Sequence, residues 1–125
     1  VASGGEMSRV MLAIKTHLLK NLELATMIFD EIDSGISGEV AFEVAKKLKS
    51  ISKHTQVLSI THLHVVAAIA NSHLHITKKY DNDTTLTSVD KLLKEERINV
   101  LAKMISPNDV NKTSLEIAEN MLKIS

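Results

Sequence analysis

Cysteine is absent from the 125 residues, so neither a disulfide framework nor a thiolate metal site can organise this chain, and a reducing compartment is permitted. A charge excess is missing too. Fifteen Lys and Arg stand against fifteen Asp and Glu, which removes any chain-wide attraction to nucleic acid or to an anionic membrane surface while leaving local patches open. No apolar run approaches the roughly twenty residues that span a bilayer, and no secretory signal is visible. Internal repeats, low-complexity tracts and an interdomain linker are likewise missing. What remains is the expectation of one soluble domain over residues 1–125, with enough chain for a real core. Val1 leads into a glycine motif almost at once, which reads as a piece cut from a longer protein.

The chain is organised around Ala25-Thr26-Met27-Ile28-Phe29, followed directly by Asp30-Glu31-Ile32-Asp33. A short apolar run bounded by charge predicts a strand buried on both faces of a parallel sheet flanked by helices. Asp30 and Glu31 then stand at its carboxyl end, where open α/β sheets bind ligands. Burying acids costs several kcal/mol unless a cation or hydrogen-bond donors compensate, and a magnesium nucleotide would do so. From these residues alone a second meaning stays open, that both acids merely cap the next loop.

Ser3-Gly4-Gly5-Glu6 opens a helix predicted to run to about Lys20, with the spacing of a capping box between Ser3 and Glu6. Met7, Val10, Met11, Ile14 and Leu18 form its apolar stripe. Glycine costs roughly 1 kcal/mol relative to alanine inside a helix. Two in the first turn therefore favour an anion approaching the backbone N–H groups over plain capping. Asn21-Leu22-Glu23 reads as a loop, and Asp33-Ser34-Gly35-Ile36-Ser37-Gly38 as another, with Ser37 the N-cap of a helix burying Ala41, Val44, Ala45, Leu48 and Ile51. Lys46, Lys47, Lys49 and Lys53 fit a solvated helix face better than a DNA contact. Gln56-Val57-Leu58-Ser59-Ile60 completes a βαβ unit, so Thr61-His62 should share a sheet edge with Asp30 and Glu31.

A short helix over 63–70 precedes a strand from His73-Leu74-His75-Ile76, paired with Thr85–Val89 across the Asp81-Asn82-Asp83 turn. The two His-Leu-His triplets read as exposed histidines rather than a metal site, because no third ligand has matching spacing. A helix from Lys94, carrying Ile98, Leu101, Ala102 and Ile105, stops before Pro107. A last helix has a capping box at Thr113 and Glu116 and a stripe of Leu115, Ala118, Met121 and Leu122.

Taken in order, Ser3-Gly4-Gly5-Glu6, Met27-Ile28-Phe29-Asp30-Glu31 and Thr61-His62 resemble the second half of an ABC-type ATPase: signature motif, Walker B acids and switch histidine. Ala2 to Arg9, Phe29 to Gly38, and Thr61-His62-Leu63 with Val66-Ala67-Ala68 resemble the RecN family of SMC-like DNA repair proteins, and Arg97 fits the family's tail. Ala2 departs from the leucine common in ABC proteins, and His64 stands where proline is expected. No G-x-x-x-x-G-K-[ST] phosphate loop occurs anywhere in the chain.

The resemblance implies an α/β fold with a partly parallel sheet and flanking helices, the C-terminal lobe of an ABC-type ATPase head whose phosphate loop lies upstream. It implies ATP and Mg²⁺, with Asp30 holding the ion through water, Glu31 orienting the attacking water, and His62 at the γ-phosphate. Ser3, Gly4, Gly5 and Glu6 would serve the nucleotide of an opposite protomer, with Ser34 and Gly35 in the loop crossing between sites. Implied partners are the N-terminal phosphate-loop half of the same protein, a second head in an ATP-dependent homodimer, and DNA through the full-length protein, in the nucleoid-associated cytoplasm. Two alternatives stand beside this: another SMC-like or ABC head, and a non-catalytic interaction module.

Overall fold

The structure, a computed structural model, describes residues 3–18, 26–81 and 84–124. The expectations for Ala2, Lys20, the 21–23 loop, Ala25, the turn residues Asn82 and Asp83, and the Leu18 side chain lie outside them. Two compact units result, Val1–Ile69 and Ala70–Ser125, each with its own elements. The class is α/β.

In the first unit, α1 (Gly4–Leu18) leads to β1 (Thr26–Asp30), then α2 (Gly38–Ile51), β2 (Gln56–Ile60) and the short α3 (His64–Ala68). β1 and β2 pair in parallel, Thr26 opposite Gln56 through Asp30 opposite Ile60. The βαβ unit is therefore formed as expected. Leu12, Met27, Phe29, Ile32, Val44, Ala45, Leu48, Ile51 and Val66 make one core cluster. Ala41, Val44, Ala45, Leu48 and Ile51 are all buried along α2, as the helical spacing required. Ser37 does occupy the N-cap position of α2, but its hydroxyl makes no capping bond. Gly38 follows with φ +55°, a turn into the helix that a Cβ would resist.

Two expectations fail here for related reasons. β1 is covered on one face only: Met27 and Phe29 are buried, whereas Ile28 is 64% exposed, and on β2 Leu58 and Ile60 are also exposed. The same holds for α1, whose apolar stripe of Met7, Val10, Met11 and Ile14 faces solvent while Gly5 and Leu12 turn inward. Gly5, Arg9, Leu12 and Thr16 fall on one helix face at three- and four-residue spacing. That face is chosen by polar contacts from Ser8 and Arg9, which hydropathy does not register.

The second unit contains the hairpin β3 (Leu74–Asp81) and β4 (Thr84–Lys91), antiparallel with His75 opposite Asp90, then α4 (Lys94–Ile105) and α5 (Lys112–Ile124) packed on each other. Leu101, Ala102, Ser114 and Ala118 are its buried positions. The Glu96 carboxylate accepts the Leu93 N–H at 2.6 Å to start α4. The box at the start of α5 lies two residues earlier than expected. Asn111, not Thr113, is the cap: its Oδ1 accepts the Ser114 N–H at 3.0 Å and the Ser114 hydroxyl accepts the Asn111 N–H at 3.0 Å. Asn is as good a cap as Ser or Asp, and Ser114 supplies the reciprocal oxygen that Glu116 cannot reach back to give. Burial pushes the His73 imidazole below its ordinary range, helped by Arg97 and His75. Among the described residues no helix is long and apolar enough to cross a membrane.

Leu48→Ala should empty a site in the first unit's core and cost about 2–5 kcal/mol in urea unfolding, whereas Phe42→Ala, at a position 46% exposed on the same helix, should change stability by no more than about 1 kcal/mol.

Candidate functional site

A parallel pair sends both carboxyl ends to one edge. Because Asp30 lies opposite Ile60, the residues that leave the sheet next, Glu31 and Thr61, depart side by side, with His62 one further on. Helix α1 precedes β1, and its amino end lies against the loop that leaves β1. The Ser8 hydroxyl donates to the Asp30 carbonyl at 3.0 Å. Arg9 donates one guanidinium nitrogen to the carbonyls of Ile32 at 3.2 Å and Ser34 at 2.8 Å. Three sequence signals far apart along the chain, the glycine pair, the acids and the loop after β2, thus belong to one end of one unit.

The glycines have a local packing reason. A Cβ on Gly5 would stand 2.7 Å from both the Ser34 Cβ and the Ser34 carbonyl oxygen, and 2.9 Å from the Glu31 carbonyl. A Cβ on Gly4 would meet the Glu31 carboxylate at 2.7 Å. Glu31 therefore reaches the helix amino terminus, where the peptide dipoles favour negative charge. The capping box expected from Ser3 and Glu6 is formed in both directions, with the Glu6 carboxylate accepting the Ser3 N–H at 2.9 Å and the Ser3 hydroxyl accepting the Glu6 N–H at 3.2 Å. A hydroxyl accepting in this way keeps its own proton to donate.

Glu31 itself has φ +57°, the left-handed region that residues with a Cβ rarely enter. The loop holds it there: the Ser34 N–H returns to the Glu31 carbonyl at 3.0 Å, and Gly35 continues with φ +72°. Asp30 and Glu31 are both exposed, as are Gly35 and the His62 ring, while Ser34 is half-buried. Two exposed carboxylates at one parallel-sheet edge are oxygen donors of the kind a hard cation that keeps most of its water takes. No three His, Asp or Glu side chains among the described residues gather into an ion cage of their own. His64, where the family resemblance expected proline, is half-buried and its imidazole is pushed below the ordinary range by desolvation.

Two residues here were passed over in the sequence. Asp33 is 1% exposed, and one of its oxygens accepts the Thr61 hydroxyl, the His62 N–H at 3.0 Å and the Leu63 N–H at 3.3 Å. Arg9 grips the opposite side of the same loop. The available signal was an acid and a base each directly next to one apolar residue, Ile32 before Asp33 and Val10 after Arg9.

No family profile matches the chain. Among curated proteins it is 45% identical to the DNA repair protein RecN of Treponema pallidum over 98% of this chain and 22% of the relative's length. It is 44% identical to RecN of Bacillus subtilis over 98% and 21%, and 46% identical to RecN of Rickettsia conorii over 99% and 23%. Among solved structures, a chain from "Structural biochemistry of ATP-driven dimerization and DNA stimulated activation of SMC ATPases" superposes with a TM-score of 0.63 at 26% identity, covering 84% of this chain and 63% of that one. Fold and site edge together define the class, an α/β lobe of an SMC-like ABC ATPase head. Within that class the chain corresponds to a segment of RecN, spanning about a fifth of the length of the relatives it matches.

The glycine contacts differ in hardness. Gly5→Ala meets two backbone carbonyls and should lower the unfolding midpoint, at a cost of about 1–3 kcal/mol; Gly4→Ala meets only the end of a flexible side chain and should be neutral or slightly stabilising in the same thermal melt, given alanine's better helix propensity of about 1 kcal/mol.

Proposed function

We propose that this chain is the ATP-hydrolysing half-site of a RecN-like protein acting in DNA double-strand break repair and recombination. The observation that carries it is the shared sheet edge, where Glu31 at φ +57° reaches the amino end of α1 and His62 leaves the neighbouring strand. Phosphoryl transfer asks a protein mainly for positioning and charge stabilisation, and a rigid strand end supplies the first. Asp30 would hold Mg²⁺ through water, and that ion would supply charge neutralisation at the phosphate oxygens. Glu31 orients and polarises the attacking water. His62 contacts the γ-phosphate.

Ser3, Gly4, Gly5 and Glu6 present a helix amino terminus, with a hydroxyl proton to spare, to the nucleotide of an opposite head, and Ser34 and Gly35 lie in the loop between the two sites. The solved SMC relative is described by ATP-driven dimerization and DNA-stimulated activation, which supports ATP as both substrate and dimer link, and DNA as a ligand of the longer protein in the cytoplasm at the nucleoid. The phosphate loop would come from the N-terminal half of the same protein. Support for that partner is the two-stranded parallel sheet itself, whose Ile28, Leu58 and Ile60 lie exposed. Purely parallel sheets are ordinarily covered on both faces.

Gly5 packs directly against Ser34 of its own head. Any side chain at Gly5 disturbs its own loop, so loss of ATP-dependent dimer in Gly5→Asp would not separate the two effects. Glu31→Gln is cleaner. In the full-length protein it should leave ATP binding intact and slow steady-state turnover about a hundredfold or more; normal turnover would remove Glu31 from the reaction. The chain by itself, having no phosphate loop, should show no multiple-turnover ATP hydrolysis, and co-expression with the phosphate-loop half should restore it. Hydrolysis by the pure chain would return the case to a different kind of site.

A further inference from the structure

The His62 ring is 72% exposed, yet the backbone that carries it is held from below by a carboxylate that is 1% exposed. A single oxygen of Asp33 accepts the N–H groups of His62 and Leu63 and the hydroxyl of Thr61, and the same oxygen lies 3.5 Å from the His62 Nδ1. The Thr61 hydroxyl oxygen in turn accepts the Leu63 N–H at 3.0 Å. Two successive peptide groups around His62 are thereby fixed relative to the loop of Glu31. An exposed imidazole otherwise rotates freely about two torsions. The carboxylate also lies beside the imidazole at that 3.5 Å distance, but its hold on His62 runs through the backbone N–H groups that it accepts.

Resting on the nucleotide site above, we propose that Asp33 is the positioning residue for His62. It ties the switch histidine on one strand end to the loop of the water-orienting glutamate on the other, so that both approach the γ-phosphate in a fixed relation. Asp33 touches no reacting atom. It acts through His62, and its loss should appear in turnover rather than in nucleotide affinity.

Full-length protein carrying Asp33→Ala should lose about tenfold in kcat with KM for ATP within about threefold of the parent. Asp33→Asn, which can offer its amide oxygen to the same three donors, should recover most of that loss. In a His62→Ala background, Asp33→Ala should cost nothing further, because the residue it positions is gone. Equal losses in both backgrounds, or an asparagine variant no better than alanine, would overturn the assignment and leave Asp33 a purely structural acid. Should Asp33→Ala fail to fold, Thr61→Val removes one donor from the same clamp and should lower kcat in the parent but not in His62→Ala. The nucleotide site has a separate test: if His62→Ala alone turns over ATP normally, the role of His62 fails. If His62→Ala is slow while folded Asp33→Ala matches the parent, the positioning role alone fails.

Discussion

A carboxylate buried almost completely beside the loop that leaves β1 sets the geometry of this site. Removing Asp33 from water carries a penalty of several kcal/mol unless its oxygens are met by donors, and the donors that meet it come from Thr61, His62 and Leu63, about thirty positions later in the chain. The loop after β1 and the loop after β2 therefore cannot move independently without exposing or stranding a charge. Arg9 adds a second clamp from the other side, holding the carbonyls of Ile32 and Ser34 that flank Asp33. Between the clamps Glu31 keeps a backbone conformation that costs of order 1–3 kcal/mol for a residue with a side chain. Conformations of that kind persist only where the surroundings over-determine them.

The proposed reaction, phosphoryl transfer, leaves little covalent chemistry for a protein to do, so on that proposal precision of placement carries the catalytic demand. The clamps concentrate that precision where it is useful. The α1 amino end, the Glu31 carboxylate and the His62 backbone are all referred to one four-residue loop, and Gly5 permits the helix to approach it more closely than any other residue would. Whatever shifts this loop shifts all three together, which gives the loop the properties of a single mechanical part.

Much of the fold was legible because it rests on periodicity. The α2 core positions, the βαβ order, the hairpin and the stop before Pro107 follow from spacing and turn chemistry, and the placement of Asp30, Glu31 and His62 at one edge follows from parallel pairing alone. The misreadings have a common origin in polar contacts. Hydropathy assigns α1 the face bearing Met7, Val10, Met11 and Ile14, but Ser8 and Arg9 hold the opposite face to the loop. Asn111 outcompetes Thr113 as a cap because its side chain finds a reciprocal partner in Ser114. Asp33 looked like one more acid in a polar loop, since its three donors lie on a segment that sequence proximity cannot connect to it.

The failed expectation of two-sided burial for β1 is informative in its own right. Met27-Ile28-Phe29 is the pattern of a strand with apolar neighbours on both faces, and β2 repeats it with Val57, Leu58 and Ile60. Within this chain the helices supply one covering layer, leaving Ile28, Leu58 and Ile60 outward together with the apolar stripe of α1. Purely parallel sheets are ordinarily covered on both faces. Since the chain spans about a fifth of the RecN sequences it matches, the residues that such a pattern was selected to meet have room to lie elsewhere in the longer protein. On the proposed function they are those of the phosphate-loop half, and the requirement is then the same from both directions. The sheet needs a second covering layer for its apolar face, and Asp30, Glu31 and His62 need a phosphate cradle at its edge; one folded partner segment satisfies both.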